Sequence, residues 1–169
     1  IVVVRVGADH EHARRDREPV QQLLQTNGAS ILRARHARSN HRDDQAETFL
    51  LKLMRGAGPS GLGGIYPRRD AVIRPLLDVS RAELRAFLRE GHESWMEDET
   101  NADERHPRNR VRHRVIPELD RTYGGATRPS IARAAALIRE DAEWLERVSD
   151  SRLAALSVAV PGGLHLDAA

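Results

Sequence analysis

Between Asn40 and Gly64 the chain reads N-H-R-D-D-Q-A-E-T-F-L-L-K-L-M-R-G-A-G-P-S-G-L-G-G. Three carboxylates (Asp43, Asp44, Glu47) and an imidazole (His41) lead into a segment that turns apolar at Phe49, Leu50, Leu53 and Met54. Residues three and four apart share a helix face, so Asp44 and Glu47, and likewise Asp43 and Glu47, converge in the first turn of one helix. That pattern predicts a helix whose first turn carries chemistry and whose body is buried. With no cysteine in the chain, the metal that remains possible is a hard cation held by oxygen ligands, or one using histidine. Acids placed at the positive end of a helix dipole, with Asn40 or Asp43 as the cap, account for the same spacing. Arg55 and Gly56 close the predicted helix, and Gly58, Gly61, Gly63 and Gly64 follow, letting backbone amides approach a ligand closely. The glycine segment matches no Walker A pattern and has no lysine after it.

A second group lies at Arg105–Arg114, R-H-P-R-N-R-V-R-H-R. Pro107 suits the first position of a helix, from whose early turns Arg108, Asn109 and Arg112 would project. A basic helix start points free amides and guanidinium groups at an anion. A surface helix paired with the acidic loop before it fits the same residues. The positive run Arg33–Arg42 reads either as a solvated face or as a phosphate clamp just ahead of the acidic turn.

Composition limits what these groups can serve. A chain of 169 residues, 40% apolar and 31% charged, suits one soluble domain with a real core and part of a second. Without cysteine, disulfides, thiol nucleophiles, thiolate zinc sites and iron–sulfur ligation are excluded within it. At 4% aromatic content a stacking platform for single strands is not the natural reading. Lys52 is the sole lysine among the basic residues. The arginine forks suit phosphate, although a GC-rich genome would give the same bias. No apolar run approaches the ~20 residues of a membrane span, and no signal-peptide pattern is present, so a cytoplasmic protein is expected.

The elements that must position these groups alternate in type. Ile1–Val6 reads as a buried parallel strand, Glu18–Gln25 as a helix ended by Asn27-Gly28, and Ser30–Ala34 as a short strand. The cluster Asp9, His10, Glu11, His12 reads as a solvated loop. Val72–Leu77 is a strand with a break or an edge at Pro75. Ser80-Arg-Ala-Glu83 is a capping box for a helix with a buried stripe at Leu84, Phe87 and Leu88, ending at Gly91. Trp95–Asn101 is an acidic loop answering nearby arginines. Pro117 is expected to interrupt the basic helix, and Gly124-Gly125 with Pro129 to mark a hinge. From Ser130 the stripe Ile131, Ala135, Ile138, Ala142, Leu145 and Val148 predicts one long helix towards Leu156. The abrupt opening on a strand, and Pro161–Asp167 as the start of a further unit, give the expectation that both ends are cut.

Five blocks in this order carry a resemblance: H-R-D-D-Q-A-E-T-F-L-L, R-G-A-G-P-S-G-L-G-G, R-P-L-L-D-V-S-R-A-E-L, W-M-E-D-E-T-N and R-N-R-V-R-H. Across about Asn40–Leu145 the chain resembles the tRNA(Ile)-lysidine synthases, of the N-type ATP pyrophosphatase or PP-loop enzymes. The discriminating part is W-x-E-D-x-T-N followed by P-R-N-R-x-R-H. The resemblance implies an α/β, parallel-sheet catalytic domain of the adenine nucleotide alpha-hydrolase type over 1–125, followed by a helical linker region over 126–169. It implies adenylation of the wobble cytidine of a tRNA(Ile) with a CAU anticodon, using ATP and Mg2+, then displacement of AMP by free L-lysine. It is compatible with a homodimer and involves no membrane. Under it, Asp44, Glu47 and His41 are the catalytic candidates, with Asp44 and Glu47 near magnesium. Arg108, Asn109, Arg110 and Arg112 match the basic motif for nucleotide phosphate or tRNA, and Arg55, Gly56 and Gly58 belong to the pocket loop.

The family's phosphate loop, S-G-G-x-D-S, does not occur in this sequence. Asp9 is either its degenerate counterpart or, with His10, part of a later V-D-H-x-L-R region; the short spacing to Asp43 favours the second. Without that loop this polypeptide is expected not to hold ATP productively. The competing readings are another PP-loop tRNA-modifying enzyme, such as a thiolase, several of which use cysteines, and a non-catalytic arginine-rich tRNA-binding module.

Overall fold

The computed structural model describes residues 36–93, 103–160 and 163–166. The readings at Ile1–Val6, Asp9–His12, Glu18–Gln25, Ser30–Ala34 and Trp95–Asn101 lie outside them.

The organising stretch is helical. α1 runs Arg42–Leu53, capped not by Asn40 or Asp43 but by His41. His41 N–H donates to Asp44 Oδ2 at 3.1 Å, and Asp44 N–H reaches back to His41 Nδ1 at 3.4 Å. This reciprocal pair satisfies donors that every helix start leaves free. At the other end Gly56, at φ +70°, forms a Schellman closure: Gly56 N–H donates to Leu53 O (3.0 Å) and Ala57 N–H to Lys52 O (3.1 Å).

Burial along α1 is shifted towards its start: Phe49 and Leu50 are half-buried, with Leu50 against the core, but the expected burial of Leu53 and Met54 is not found. Gln45, Ala46 and Glu47 in its opening turns are buried, whereas Leu53 and Met54 are 43% and 78% exposed. The cause is tertiary. Ala46 sits in the core with Val111 and Ile116, packed by Leu50, Leu51 and Ile131, so the first turns face inward.

A one-turn helix, α2 (Pro59–Leu62), lies inside the glycine segment with Pro59 at its start. β1 (His36–Ala37), β2 (Arg68–Arg69) and β3 (Val72–Ile73) form a small sheet in the order β1-β3-β2. β1 pairs parallel with β3, and β2 antiparallel with it. Among the described residues the sheet is therefore mixed rather than all parallel. Pro75 follows β3, as a residue without an N–H must at a strand end.

α3 (Arg81–Glu90) has the expected Ser80/Glu83 capping box and ends at Gly91. Its Leu84, Phe87 and Leu88 are half-buried rather than buried. α4 (Pro107–Arg110) passes into a π-helical turn (Val111–Val115) and then α5 (Ile116–Tyr123). Pro117 does not interrupt this helix. The preceding turn is widened, with Ile116 N–H bonding Val111 O five residues back, which relieves the crowding a proline ring imposes on an α-helical turn.

Gly124 (φ +89°) separates α5 from the 30-residue α6 (Thr127–Leu156). The first half of α6 lies along α1 and α2, with Ala135 fully buried, while Leu145 and Val148 beyond it are 51% and 47% exposed. A two-stranded hairpin of β4 (Ser157–Val160) and β5 (Gly163–Leu166) follows. No described helix is long and apolar enough to cross a membrane.

Candidate nucleotide site

The acidic start of α1 and the basic start of α4 meet, although 61 to 65 residues separate them in sequence. Glu47, 1% exposed, accepts from Arg108 Nε (2.7 Å), Arg112 Nε (2.6 Å) and Arg112 Nη2 (2.9 Å). Arg108 and Arg112 are one helical turn apart and so approach from the same side. Arg108 Nη2 also donates to Asp44 Oδ1 (3.2 Å), and Arg112 Nη2 lies 3.7 Å from the same oxygen. The Arg108 side chain stays 39% exposed and that of Arg112 only 10%. One guanidinium thus opens to solvent while the other is held in the wall.

Asp43 turns away from this pair. Its Oδ2 accepts the backbone N–H of Arg81 (2.8 Å) and its Oδ1 lies 3.1 Å from Arg128 Nε of α6. His41 is buried beside it, and Arg81 Nε lies 3.4 Å from His41 Nε2. A neutral imidazole accepts at one nitrogen only, so either the cap to Asp44 or the contact with Arg81 is made in each tautomer. Burial lowers the His41 pKa; Asp44 opposes this, and Arg81 adds to it. Burial also lowers the Arg81 pKa, helped by the charge of Arg112. For Arg112 burial acts in the same direction, but the hydrogen bonds and charge of Glu47, backed by Asp44 and Asp43, prevail and raise it.

The remaining predicted site residues are placed apart from this cluster. Asn109 is buried and donates through Nδ2 to Asp103 O (2.8 Å). Arg110 donates to Glu104 O and Arg105 O (3.0 and 3.1 Å). Both fasten the segment before α4. Arg55, Gly56 and Gly58 are exposed beyond the end of α1. Three residues of the site were not singled out from sequence. Arg81 stands inside a quoted block but reads there only as part of a capping box. Gln45 is a polar residue on the face that packs inward: its amide accepts from Ile65 N–H (2.7 Å) and donates to Gly63 O (3.2 Å). Arg128, after a glycine pair, carried no signal.

Magnesium requires carboxylate oxygens free to coordinate it. Both Glu47 oxygens are taken by guanidinium groups, and among the described residues no group of three or more histidine or acidic side chains is arranged to hold a metal. Asp44 and Glu47 therefore do not fit a magnesium ion as a pair in this arrangement. They fit a counter-charge that orients two arginine forks, whose donors suit phosphate oxygens.

Comparison with known proteins bears on the same residues. Residues 6–119 match the PP-loop domain family. The chain belongs to the PP-loop family. That membership brings an α/β nucleotide-hydrolase-like fold and ATP as the nucleotide. The PP-loop chain is similar to proteins named tRNA(Ile)-lysidine synthase. It is 45% identical to that of Aromatoleum aromaticum over 127 residues, covering 73% of this chain and 29% of the relative. Identity to the Pseudomonas fluorescens protein is 38% over 161 residues (93% and 35%), and to that of Chlorobaculum tepidum 43% over 128 residues (76% and 38%). The chain thus spans about a third of the length of these curated relatives.

Proposed function

We propose that this chain is the ATP-using part of a tRNA(Ile)-lysidine synthase. In the proposed reaction the C2 oxygen of the wobble cytidine attacks the α-phosphorus of ATP and pyrophosphate leaves. The side-chain amine of free lysine then attacks C2 and AMP leaves. The observation that carries the reading is the convergence of Arg108 and Arg112 on Asp44 and Glu47, inside a PP-loop domain whose relatives bear that name.

Negative charge on the phosphates must be met during the first step, in a place where water does not compete. Arg108, partly open, is assigned to a phosphate oxygen. Arg112 is assigned to hold the same side of the pocket positive, and Glu47 to fix both forks. Asp44 is proposed as the more exposed acid of the pair, able to change partners when a ligand arrives. Glu47 is assigned to the arginines rather than to magnesium. Residues 1–125 are proposed as the catalytic domain, with α6 as a scaffold whose first half packs on it. A non-catalytic tRNA-binding module would have no use for a buried carboxylate between two arginines.

The test is ATP–pyrophosphate exchange with tRNA(Ile) carrying a CAU anticodon, in a protein that joins this chain to an S-G-G-x-D-S phosphate loop, which the chain itself does not carry. Asp44→Ala and Arg112→Ala are expected to reduce exchange at least ~100-fold, the scale on which single charge-stabilising donors act. Undiminished exchange in Asp44→Ala would sink the site assignment.

A further inference from the structure

A second concentration of positive charge lies on the small sheet, away from the acid-paired arginines. β3 is the middle strand, and backbone pleating decides which side chains share its faces. Arg69 stands opposite Val72, and Arg74 lies two residues beyond Val72, so Arg69 and Arg74 belong to one face. In the parallel neighbour, Ala37 pairs with Ile73 and Arg38 N–H donates to Ile73 O (2.9 Å), so Arg38 falls level with Arg74 on that same face. Arg68, opposite Ile73, belongs to the other.

The three arginines are not balanced as those of the nucleotide site are. Among the described residues Arg38 and Arg69 are exposed and make no ion pair and no side-chain hydrogen bond. Arg74 is half-buried; it donates through Nη1 to Tyr66 O (2.9 Å), while its Nε is buried without a partner. Its guanidinium pKa is lowered, by burial first and then by the charges of Arg38 and Arg69. Like charges gathered on adjacent strands cost stability, and a bound anion relieves that cost.

We infer that the face carrying Arg38, Arg69 and Arg74 is a contact surface for the phosphate backbone of RNA. The inference rests on the tRNA-modifying reading above. Three points favour RNA. Guanidinium forks match phosphate oxygens in pairs. Half-buried Val72 is the one apolar residue among those placed on this face, less than the apolar centre a protein partner would bury. And Arg38 lies three residues before His41, at most ~10 Å along an extended chain from the acidic turn, close enough for one bound strand to touch both.

The experiment measures binding of the full chain to two transcripts, tRNA(Ile) with a CAU anticodon and an unrelated tRNA, across a salt series. Arg38→Gln/Arg69→Gln is expected to weaken both to a similar degree, about tenfold at moderate salt, and to reduce the slope of log K against log[salt] by between ~1.4 and ~1.8. Its melting temperature should match that of the unsubstituted chain. Arg68→Gln, on the opposite face, should change the slope by less than half as much. An unchanged slope in the double variant, an equal loss in Arg68→Gln, or a loss confined to poly-glutamate used as an acidic-protein probe would overturn the inference. Failure of the adenylation reading looks different: pyrophosphate exchange would be absent even with an S-G-G-x-D-S phosphate loop joined to the chain, while the arginine-dependent salt slope persisted.

Discussion

Glu47 is the residue on which the site turns, because it is buried and its two oxygens hold three guanidinium N–H groups. Removing one partner of a buried ion pair leaves the other charge uncompensated, at a cost of about 3–5 kcal/mol. Glu47→Gln is therefore expected to lower the unfolding free energy by roughly that amount, read from urea titration; a loss below about 1 kcal/mol would mean that the arginines find solvent instead. His41 gives a pH signature. An unfolded histidine titrates near ~6.5, and burial lowers the folded value, so between the two the unfolded chain binds more protons. Its contribution to stability is full above that window and is lost as pH falls through it. His41→Asn, which keeps a cap acceptor, should flatten the fall in stability as pH drops below the ordinary histidine value of about 6.5. Both acid and basic groups were legible in the sequence as local spacings. Their pairing was not, because spacing speaks only within a turn or two of helix, whereas contacts across 61 to 65 residues depend on the fold.

At the scale of elements, local chemistry read well wherever an end had its own signal. Ser80 with Glu83, Pro107 and Gly56 each mark a boundary that the structure places there. What failed was burial along α1, since an apolar run states what can be buried and not which turn meets the core. The glycine segment shows the same division. Its richness in glycine was plain, but the close approaches are to this chain's own side chains. A Cβ on Gly64 would lie 2.7 Å from the Gln45 amide, and one on Gly63 3.0 Å from Arg139 Cβ. Gly64 also sits at φ +73°, whereas Gly58 is extended with open space around it. Gly64→Ala should thus cost at least ~1–2 kcal/mol for the left-handed backbone, with more for displacing Gln45. Gly58→Ala should be neutral or stabilise by up to ~1 kcal/mol by restricting the unfolded chain. Thermal midpoints of the two variants decide it; equal losses would show that the segment's shape does not depend on Gln45.

Across the whole molecule α6 braces the acidic start of α1 and the glycine segment from one side. Arg128 reaches Asp43 and Asp120, and Arg139 reaches Gly63 O and Ile65 O (3.4 and 3.3 Å) while lying 5.9 Å from the Tyr66 ring centre. The sequence showed the length of this helix and its apolar stripe, but periodicity gives a stripe without saying how far along it a neighbour extends. Here cover ends midway: Ala135 is fully buried, and Trp144, Leu145, Val148 and Leu153 are between 47% and 57% exposed. Changes along one stripe should therefore divide into two classes. Ala135→Leu forces extra volume between α6 and the α1 core and should cost about 1–3 kcal/mol, whereas Leu145→Glu and Val148→Glu should each stay within about 0.5 kcal/mol in this chain. Urea midpoints across the three variants test the division. If the two glutamate variants lost as much as Ala135→Leu, the distal stripe would be packed in solution, and α6 would have to be regarded as core along its full length. If they do not, the half of α6 that packs on the rest of the chain ends near Ala142, and the polar residues through which this helix touches α1 and the glycine segment are Arg128 and Arg139.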